Sequence, residues 1–287
     1  MGAITYTTQL LNSILSLAML FQNISRGNAS WKRVKQVLNT EPELKDGSFD
    51  GNPDIKGSIE FRDVEFSYPG AGNPVLSGVN LKVNPGETVA IMGATGCGKT
   101  TLVNLIPRFY DVTAGSILVD GVDVREYGQQ ALRDKVSVAL QKAELFGVSA
   151  QDNIRWGKTD ASDDEVKNAA VIAQADPFIN EMPEGYDEII AERGMSLSGG
   201  QRQRMSIART ILKDAEIYIF DDATSALDLK TEAAFYDALR SAHPHSTKII
   251  VAQRIASIRQ ADRIALLEKG KIEAFGTHEE LMESCDL

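Results

Sequence analysis

Gly93-Ala-Thr-Gly-Cys-Gly-Lys99-Thr100 is the stretch of sequence that decides the fold. It matches the pattern G-x-x-x-x-G-K-[ST], and it stands between an apolar run, Thr88–Met92, and a segment that can open a helix, 102–106. Its glycines let backbone N–H groups turn inward on an anion, Lys99 supplies a point charge, and the Thr100 hydroxyl can ligate Mg²⁺. The pattern predicts a phosphate-binding loop, whose contacts would come from Gly93, Ala94, Thr95, Gly96, Cys97, Gly98, Lys99, Thr100 and Thr101.

Short apolar runs recur along the chain at 88–92, 216–220 and 247–252. Such runs are typical of strands that are buried on both faces of a parallel sheet. Helical stretches such as 163–174 and 203–213 separate them, so the alternation predicts an α/β domain with crossover helices. A separate edge sheet is predicted before the phosphate loop from Ile59, Phe61, Val64 and Phe66.

The run Ile217-Tyr-Ile-Phe-Asp221 ends an apolar strand on a carboxylate. Such a carboxylate emerges where the backbone leaves the sheet, which suits it to hold the magnesium ion of a bound nucleotide. Alone, the run is also typical of any buried strand that ends in aspartate. In the same chain as the phosphate loop it predicts a metal site that Asp221 shares with Thr100.

Composition and charge restrict the class of partner. The 287 residues carry a formal charge of −10, which disfavours a nucleic-acid partner because phosphate backbones attract clustered Lys and Arg. The two cysteines, Cys97 and Cys285, fit neither a disulfide framework nor a metal cluster, and this favours a reducing compartment.

The first 25 residues contain no charged side chain and are long enough, as a helix, to cross a bilayer. Their polar residues suit a helix packed in a bundle, and four basic residues follow as a cytoplasmic flank would: Arg26, Lys32, Arg33 and Lys35. An amphipathic helix of a soluble protein remains the alternative. The helical pattern should end at Thr40-Glu41-Pro42, and two prolines and three glycines in 41–58 indicate a linker.

The string Ser196-Leu-Ser-Gly-Gly-Gln201-Arg-Gln-Arg resembles the LSGGQ signature of ATP-binding cassette (ABC) proteins. A physical reading agrees, because a helix that starts at these residues would present free N–H groups and a positive dipole end to a phosphate. The resemblance implies ATP and Mg²⁺ as cofactors, with ATP contacts from Ser198, Gly199, Gly200 and Gln201. It also implies a P-loop NTPase core with a mostly parallel sheet, an antiparallel β subdomain and a helical signature subdomain.

Other landmarks of the family follow in order. Tyr68 looks like the aromatic residue that stacks on adenine. Gln141 looks like the Q-loop residue, which implies that it contacts both the nucleotide and the metal ion. Ser225-Ala-Leu-Asp228 resembles the D-loop, and Glu192-Arg-Gly194 resembles the exporter segment that touches the membrane domain. The resemblance implies three parts: the end of a transmembrane domain with its elbow at 1–42, a linker at 43–58 and the nucleotide-binding domain at 59–287. By this comparison both ends look truncated.

Two positions depart from the family pattern. Asp222 stands where the family has the glutamate that positions or deprotonates the attacking water, and Gln253 stands where it has a histidine at the γ-phosphate. We expect Lys99, Asp222 and Gln253 to form the catalytic set and hydrolysis at this site to be slow, because a base must come within hydrogen-bond reach. Three histidines are predicted to be ordinary surface residues: His243, His245 and His278.

The resemblance implies a second cassette, because in this family two cassettes associate head to tail. Each ATP then lies between the phosphate loop of one cassette and the signature of the other. Two departures beside an intact signature predict the degenerate half of a heterodimeric exporter in the cell membrane, with its cassette in the cytoplasm. A homodimer with slow activity is the alternative within the family. A soluble cassette ATPase, a nucleotide sensor and a cassette that only binds nucleotide are the alternatives outside transport.

Overall fold

The computed structural model describes residues 2–51, 56–252, 254, 258 and 261–284. Their contacts divide the chain into two compact units, one ending at Lys45 and the other beginning at Asp46. The first unit contains helix α1, Gly2–Leu38, which ends before Pro42 as predicted. Within the described residues, α1 is the one helix whose length and composition would let it cross a membrane. The predicted boundaries at residues 42 and 58 stay a prediction.

The second unit is a mixed α/β domain. Its strands within the described residues are β1 (Ile59–Phe66), β2 (Leu76–Val83), β3 (Thr88–Met92), β4 (Ala114–Val119), β5 (Val122–Asp123), β6 (Val136–Ala139), β7 (Ile217–Asp221), β8 (Thr247–Val251), β9 (Arg263–Glu268) and β10 (Lys271–Gly276). Its α-helices within the described residues are α2 (Lys99–Asn104), α3 (Gln129–Lys135), α4 (Ala150–Arg155), α5 (Asp163–Ile172), α6 (Asp176–Asn180), α7 (Gly199–Leu212), α8 (Leu229–Ala242) and α9 (His278–Ser284).

The strands form two sheets. In the four-stranded sheet, of order β2-β1-β4-β5, neighbouring strands are antiparallel. In the six-stranded sheet, of order β10-β9-β3-β8-β7-β6, the strands from β9 to β6 are parallel and β10 is antiparallel. Strands β3, β7 and β8 are parallel, so the residues that follow them lie at the same edge of the sheet, the edge formed by the carboxyl ends of the strands. Open α/β sheets bind ligands at this edge.

Strand β7 shows why the parallel runs are apolar throughout. Ile217 and Ile219 are buried in the cluster that includes the antiparallel sheet and α2, whereas Tyr218 and Phe220 are buried in the cluster that includes α7 and α8. Each face of the strand thus lies in a hydrophobic core, so the strand is apolar up to Asp221 apart from the hydroxyl of Tyr218, which donates to Ile211 O at 3.4 Å.

Helices α4 to α7 pack together as a helical layer that carries the signature residues at its edge. Helix α7 begins at Gly199, where the signature residues were expected to start a helix, and four residues before the 203–213 stretch that was predicted from its helical pattern. The predicted 163–174 helix is α5, and it ends at Ile172. Segment 102–106 was predicted to open a helix, and α2 begins there earlier, at Lys99.

An arm of residues from Asp46 to Phe49 packs on the segment before α3. Gly47 N donates to Tyr127 O at 3.1 Å and Phe49 N donates to Glu126 O at 2.9 Å. The Phe49 ring lies edge-on to Tyr127, with centroids 5.0 Å apart, and Asp46 Oδ1 accepts from Gln129 N at 2.7 Å. This arm belongs to the second unit.

The prediction that all three histidines are ordinary surface residues is wrong for His243. Its side chain is only 14% exposed, and Nδ1 lies 3.4 Å from the hydroxyl of Tyr218 and 3.4 Å from Asp214. Burial lowers the pKa of His243 below its ordinary value. His245 is exposed and His278 is half-buried.

Candidate nucleotide site

The phosphate loop, residues 93–100, connects β3 to α2 as predicted. Gly93 has a φ of 152°, and a Cβ at this position would stand 2.1 Å from the carbonyl oxygen of Leu267. No other residue type fits so close an approach of two backbones. The turn is therefore fixed by the strand next to β3, since Leu267 belongs to β9.

Lys99 is 8% exposed and its side chain folds back over the loop. Its Nζ donates to Gly93 O at 2.7 Å and to Ala94 O at 2.9 Å. The ammonium group is thereby held above a cavity of 220 Å³, whose lining includes Thr95, Gly96, Gly98, Lys99, Thr100, Thr101, Gln141, Asp221 and Asp222. A positive charge at the wall of a cavity of this kind is suited to bind phosphate oxygens.

Asp221 lies at the end of β7, 1% exposed, against the start of α2. The Thr100 hydroxyl donates to Asp221 Oδ1 at 3.1 Å, whereas Asp221 Oδ2 is buried and has no hydrogen-bond partner among the described residues. Burial raises the pKa of Asp221; the bond from Thr100 opposes this and the charge of Asp222 adds to it. A cation bound beside it would satisfy an unpaired carboxylate oxygen of this kind.

A Mg²⁺ ion fits this donor set. Magnesium is usually held by one or two protein oxygens together with substrate phosphates and waters, rather than by a cage of carboxylates. Thr100 and Asp221 supply such oxygens, and the described residues contain no group of three or more His, Cys, Asp and Glu that could hold a metal alone. Gln141, also predicted at the metal, lies in the same cavity lining.

Asp222 is the next residue and faces the same cavity. Gln141 Nε2 donates to Asp222 Oδ2 at 3.2 Å, which brings the two predicted residues together. The backbone of Asp222 has a φ of 51°, and its N–H donates to Val251 O of β8 at 2.9 Å. Burial raises the pKa of Asp222, while the bond from Gln141 and the charges of Lys99 and Arg254 lower it. Gln253 lies outside the described residues.

Tyr68 lies beside the loop rather than in the lining of the 220 Å³ cavity. Its hydroxyl is 3.0 Å from Thr101 Oγ1, and its ring packs edge-on against Phe66 and Tyr110, with centroids 4.9 and 5.3 Å away. Tyr110 was not predicted, and a tyrosine in a loop gives no signal in the sequence.

The signature residues form the start of α7. Ser198 is the N-cap: its hydroxyl accepts from Gln201 N at 3.3 Å, and Gln201 Oε1 accepts from Ser198 N at 2.9 Å. This reciprocal capping box leaves the first N–H groups of the helix, at Gly199 and Gly200, directed out of its end. Within the described chain these residues do not line the 220 Å³ cavity, so the chain holds a phosphate loop and a signature at separate places.

Asp228 is the N-cap of α8. The Thr231 hydroxyl donates to its Oδ2 at 2.7 Å, and its Oδ1 accepts from Lys230 N at 3.1 Å and from Thr231 N at 3.0 Å. The bond from the Thr231 hydroxyl, followed by that from Thr231 N, lowers the pKa of Asp228. Like the signature, Asp228 is not part of the 220 Å³ lining among the described residues. Its role at a nucleotide stays a prediction.

Sequence reasoning missed an ion pair behind the site, which joins a buried glutamate to an arginine whose side chain is 40% exposed. Glu232 is 3% exposed, and it accepts from Thr224 Oγ1 at 2.6 Å and lies 3.3 Å from Arg254 Nη1. Arg254 also donates to Leu227 O at 2.6 Å and to Ser225 O at 2.8 Å. Arg254, the residue next to Gln253, is therefore hydrogen-bonded to the D-loop segment, which comprises residues 225–228. A glutamate on the buried face of α8 was the available signal.

Comparison with known proteins agrees with this architecture. Residues 76–225 match the ABC transporter family model, so the chain belongs to the ABC transporter family. It is 43% identical over 279 residues to a putative multidrug export ATP-binding/permease protein of Bacillus subtilis, covering 97% of this chain and 48% of that protein. It is 44% identical over 261 residues to an ATP-dependent lipid A-core flippase of Desulfotalea psychrophila, covering 91% of this chain and 45% of the flippase.

Among solved structures, the chain resembles a bacterial Atm1-family ABC exporter with ATP bound. The TM-score is 0.88 at 36% identity, and the match covers 99% of this chain and 50% of that one. The chain thus spans about half the length of the relatives that it matches. It carries the P-loop NTPase fold of an exporter cassette together with one long N-terminal helix.

Proposed function

We propose that this chain binds MgATP at its phosphate loop as one half of an ATP-driven membrane exporter. The observation that carries the proposal is the buried Asp221 Oδ2, unpaired among the described residues and adjacent to the Thr100 hydroxyl in a cavity that Lys99 also lines. A metal cation and a phosphate chain together would satisfy all three groups.

Each residue then has a definite task. The backbone N–H groups of the loop and Lys99 bind the β- and γ-phosphates, and Thr100 and Asp221 hold the metal. Mg²⁺ bound there would neutralise the negative charge that develops on the transferred phosphoryl group. Gln141 and Asp222, already joined by a hydrogen bond, position the attacking water.

Hydrolysis at this site is proposed to be slow. Asp222 is one methylene shorter than glutamate, and its Oδ2 is already engaged by Gln141 at 3.2 Å. A misplacement of about 1 Å in a reacting group costs on the order of a hundredfold in rate. Gln253 adds to this, because an amide can donate a hydrogen bond but cannot take up a proton near neutral pH.

The partner is proposed to be a second ABC half-transporter. Its phosphate loop would receive the exposed N-terminus of α7, so that residues 198–201 complete a competent site on the partner while the partner completes this one. That asymmetry favours a heterodimer over a homodimer. By analogy with the putative multidrug export protein and the ATP-dependent lipid A-core flippase that the chain resembles, α1 would lie in the cell membrane and the cassette in the cytoplasm.

Steady-state ATP hydrolysis by the purified chain and by the double variant Asp222→Glu with Gln253→His tests the slow-site proposal. We expect the parent to bind ATP with little turnover and the double variant to hydrolyse at least tenfold faster. Thermal unfolding of both proteins is the control, because a φ of 51° suits aspartate better than glutamate. A parent whose rate the substitutions do not raise would favour the homodimer, and a parent without ATP binding would refute the proposal.

Membrane association separates an exporter from a soluble cassette ATPase or nucleotide sensor. The full chain should co-sediment with vesicles or require detergent, and a deletion of residues 2–25 should remain in the soluble fraction. If both proteins behave alike in the absence of detergent, the exporter assignment loses its support from α1.

A further inference from the structure

Gln203 lies in the second turn of α7 and is 8% exposed. Both ends of its amide are used by the D-loop segment: Nε2 donates to Ser225 Oγ at 3.0 Å, and Oε1 accepts from Ala226 N at 2.8 Å. The two elements are also in close contact one turn earlier, where a Cβ on Gly200 would lie 2.9 Å from Ala226 O. The Gln203 side chain thus joins the D-loop segment by hydrogen bonds to α7, the helix whose first residues are those of the signature.

Ser225 extends this connection to the nucleotide site. Its hydroxyl accepts from Gln203 and donates to the carbonyl oxygen of Asp222 at 2.9 Å, and its N–H donates to the same oxygen at 3.3 Å. The side chain of Asp222 is in turn bonded to Gln141 in the 220 Å³ cavity. A continuous set of hydrogen bonds therefore runs from the start of α7 to Asp222.

A second cavity, of 420 Å³, lies between the start of α7 and the loop that follows Gln141, whereas further along the helix Arg209 Nη1 donates to Glu144 O of that loop at 3.1 Å. Its lining includes Gln141, Gly199, Gln203 and Ala226. Beside this cavity, the amide of Gln203 links α7 directly to Ser225 and Ala226, and Ser225 in turn donates to Asp222 O. The side chain is buried beside α7 and does not line the 220 Å³ cavity in the described chain.

We infer that Gln203 is a positioning residue that sets the orientation of Asp222 according to the position of the signature helix. The inference rests on the proposed function, in which the start of α7 contacts ATP held by the partner. Displacement of α7 by that contact moves Ser225 and the carbonyl of Asp222 together. Nucleotide occupancy at the partner's site thereby adjusts the water-positioning carboxylate at this one, without any contact between Gln203 and nucleotide.

Gln203→Met tests the inference, because it keeps the length of the side chain and removes both hydrogen bonds. Single-turnover hydrolysis with protein in excess resolves slow rates. We expect the rate constant to fall about tenfold and the dissociation constant for ATP to stay within twofold, since misplaced groups affect the chemical step rather than binding. Ser225→Ala should act on the same connection, so the double variant should be no slower than the slower single variant.

Thr210→Val is the matched control. Thr210 is on the same helix, 4% exposed, and its hydroxyl donates to Ser206 O at 3.0 Å, away from the D-loop segment. It should lower stability without altering the hydrolysis rate constant. Hydrogen exchange gives a readout independent of turnover: peptides that contain Ala226 should exchange faster in Gln203→Met and unchanged in Thr210→Val.

An unchanged rate constant in Gln203→Met, with or without faster exchange at Ala226, overturns the inference, because the contact would then be merely structural. Equal loss of rate in Thr210→Val overturns it too. If the parent itself binds no ATP, the proposed function fails, and the exchange measurement still decides whether Gln203 holds the D-loop segment.

Discussion

Asp221→Asn should make the nucleotide-free protein more stable while weakening its response to MgATP. The asparagine retains an oxygen that accepts from Thr100, but it removes the negative charge from a site that is 1% exposed. Burial raises the pKa of Asp221, so the ionised form that is present at neutral pH is disfavoured in the folded protein. The substitution removes this cost together with the ligand that a magnesium ion requires.

The size of the effect follows from the unpaired Asp221 Oδ2. Leaving a buried polar atom unpaired costs about 1–3 kcal/mol, and the asparagine amide recovers only part of that. A gain of about 1–2 kcal/mol raises the Tm of a domain of this size by about 2–8 °C. At an ATP concentration of 100 times Kd the parent gains about 2.7 kcal/mol, and a tenfold weaker variant gains about 1.4 kcal/mol.

Thermal unfolding followed by fluorescence, with ATP and with either Mg²⁺ or EDTA, measures both effects. Asp160→Asn, at an exposed position, is the control and should change stability by less than about 0.5 kcal/mol. If Asp221→Asn lowers the Tm of the nucleotide-free protein, or if its shift with MgATP equals that of the parent, the assignment of Asp221 as a buried metal ligand that destabilises the nucleotide-free protein is refuted.

Alkylation of Cys97 should abolish ATP binding, and ATP should protect the thiol, because Cys97 lies in the phosphate loop; unchanged nucleotide affinity after complete labelling would contradict this. Ser198→Ala should lower stability by about 1 kcal/mol through loss of the α7 cap, measured by urea unfolding against Ser198→Gly, which should lose only a few tenths. Burial lowers the pKa of Lys248 to about 8, below its value in the unfolded chain. The charged Lys248 ammonium therefore destabilises the folded protein at neutral pH, and this destabilisation disappears as the pH rises from 8 toward 10.5. Lys248→Met should therefore be more stable than the parent at pH 7, and the difference should shrink between pH 8 and 10.5; a constant difference would show that packing alone is responsible.

The sequence was sufficient for the features that depend on local patterns. Strands β3, β7 and β8 were predicted because both faces of each are buried, which makes the run apolar from end to end. Lys99, Thr100 and Asp221 were predicted because the loop and the strand end are contiguous motifs, and the structure places their side chains together.

Features that depend on contacts between distant segments were not predictable. His243 is partly buried because α8 ends beside Tyr218, a tertiary contact that no local pattern signals. The bonds from Gln203 to Ser225 and from Arg254 to Leu227 join residues more than 20 positions apart.

The arm at Asp46–Phe49 has a practical consequence for producing the cassette in isolation. A fragment that begins at Ile59, the first residue of β1, would lose the backbone hydrogen bonds of Gly47 and Phe49 and would uncover the ring of Tyr127. It would also lose Gly57, whose carbonyl oxygen accepts from Thr247 Oγ1 at 2.5 Å. A fragment that begins at or just before Asp46 preserves all of these contacts and omits α1. It should therefore be more soluble than the full chain and less prone to aggregate than a fragment that begins at Ile59.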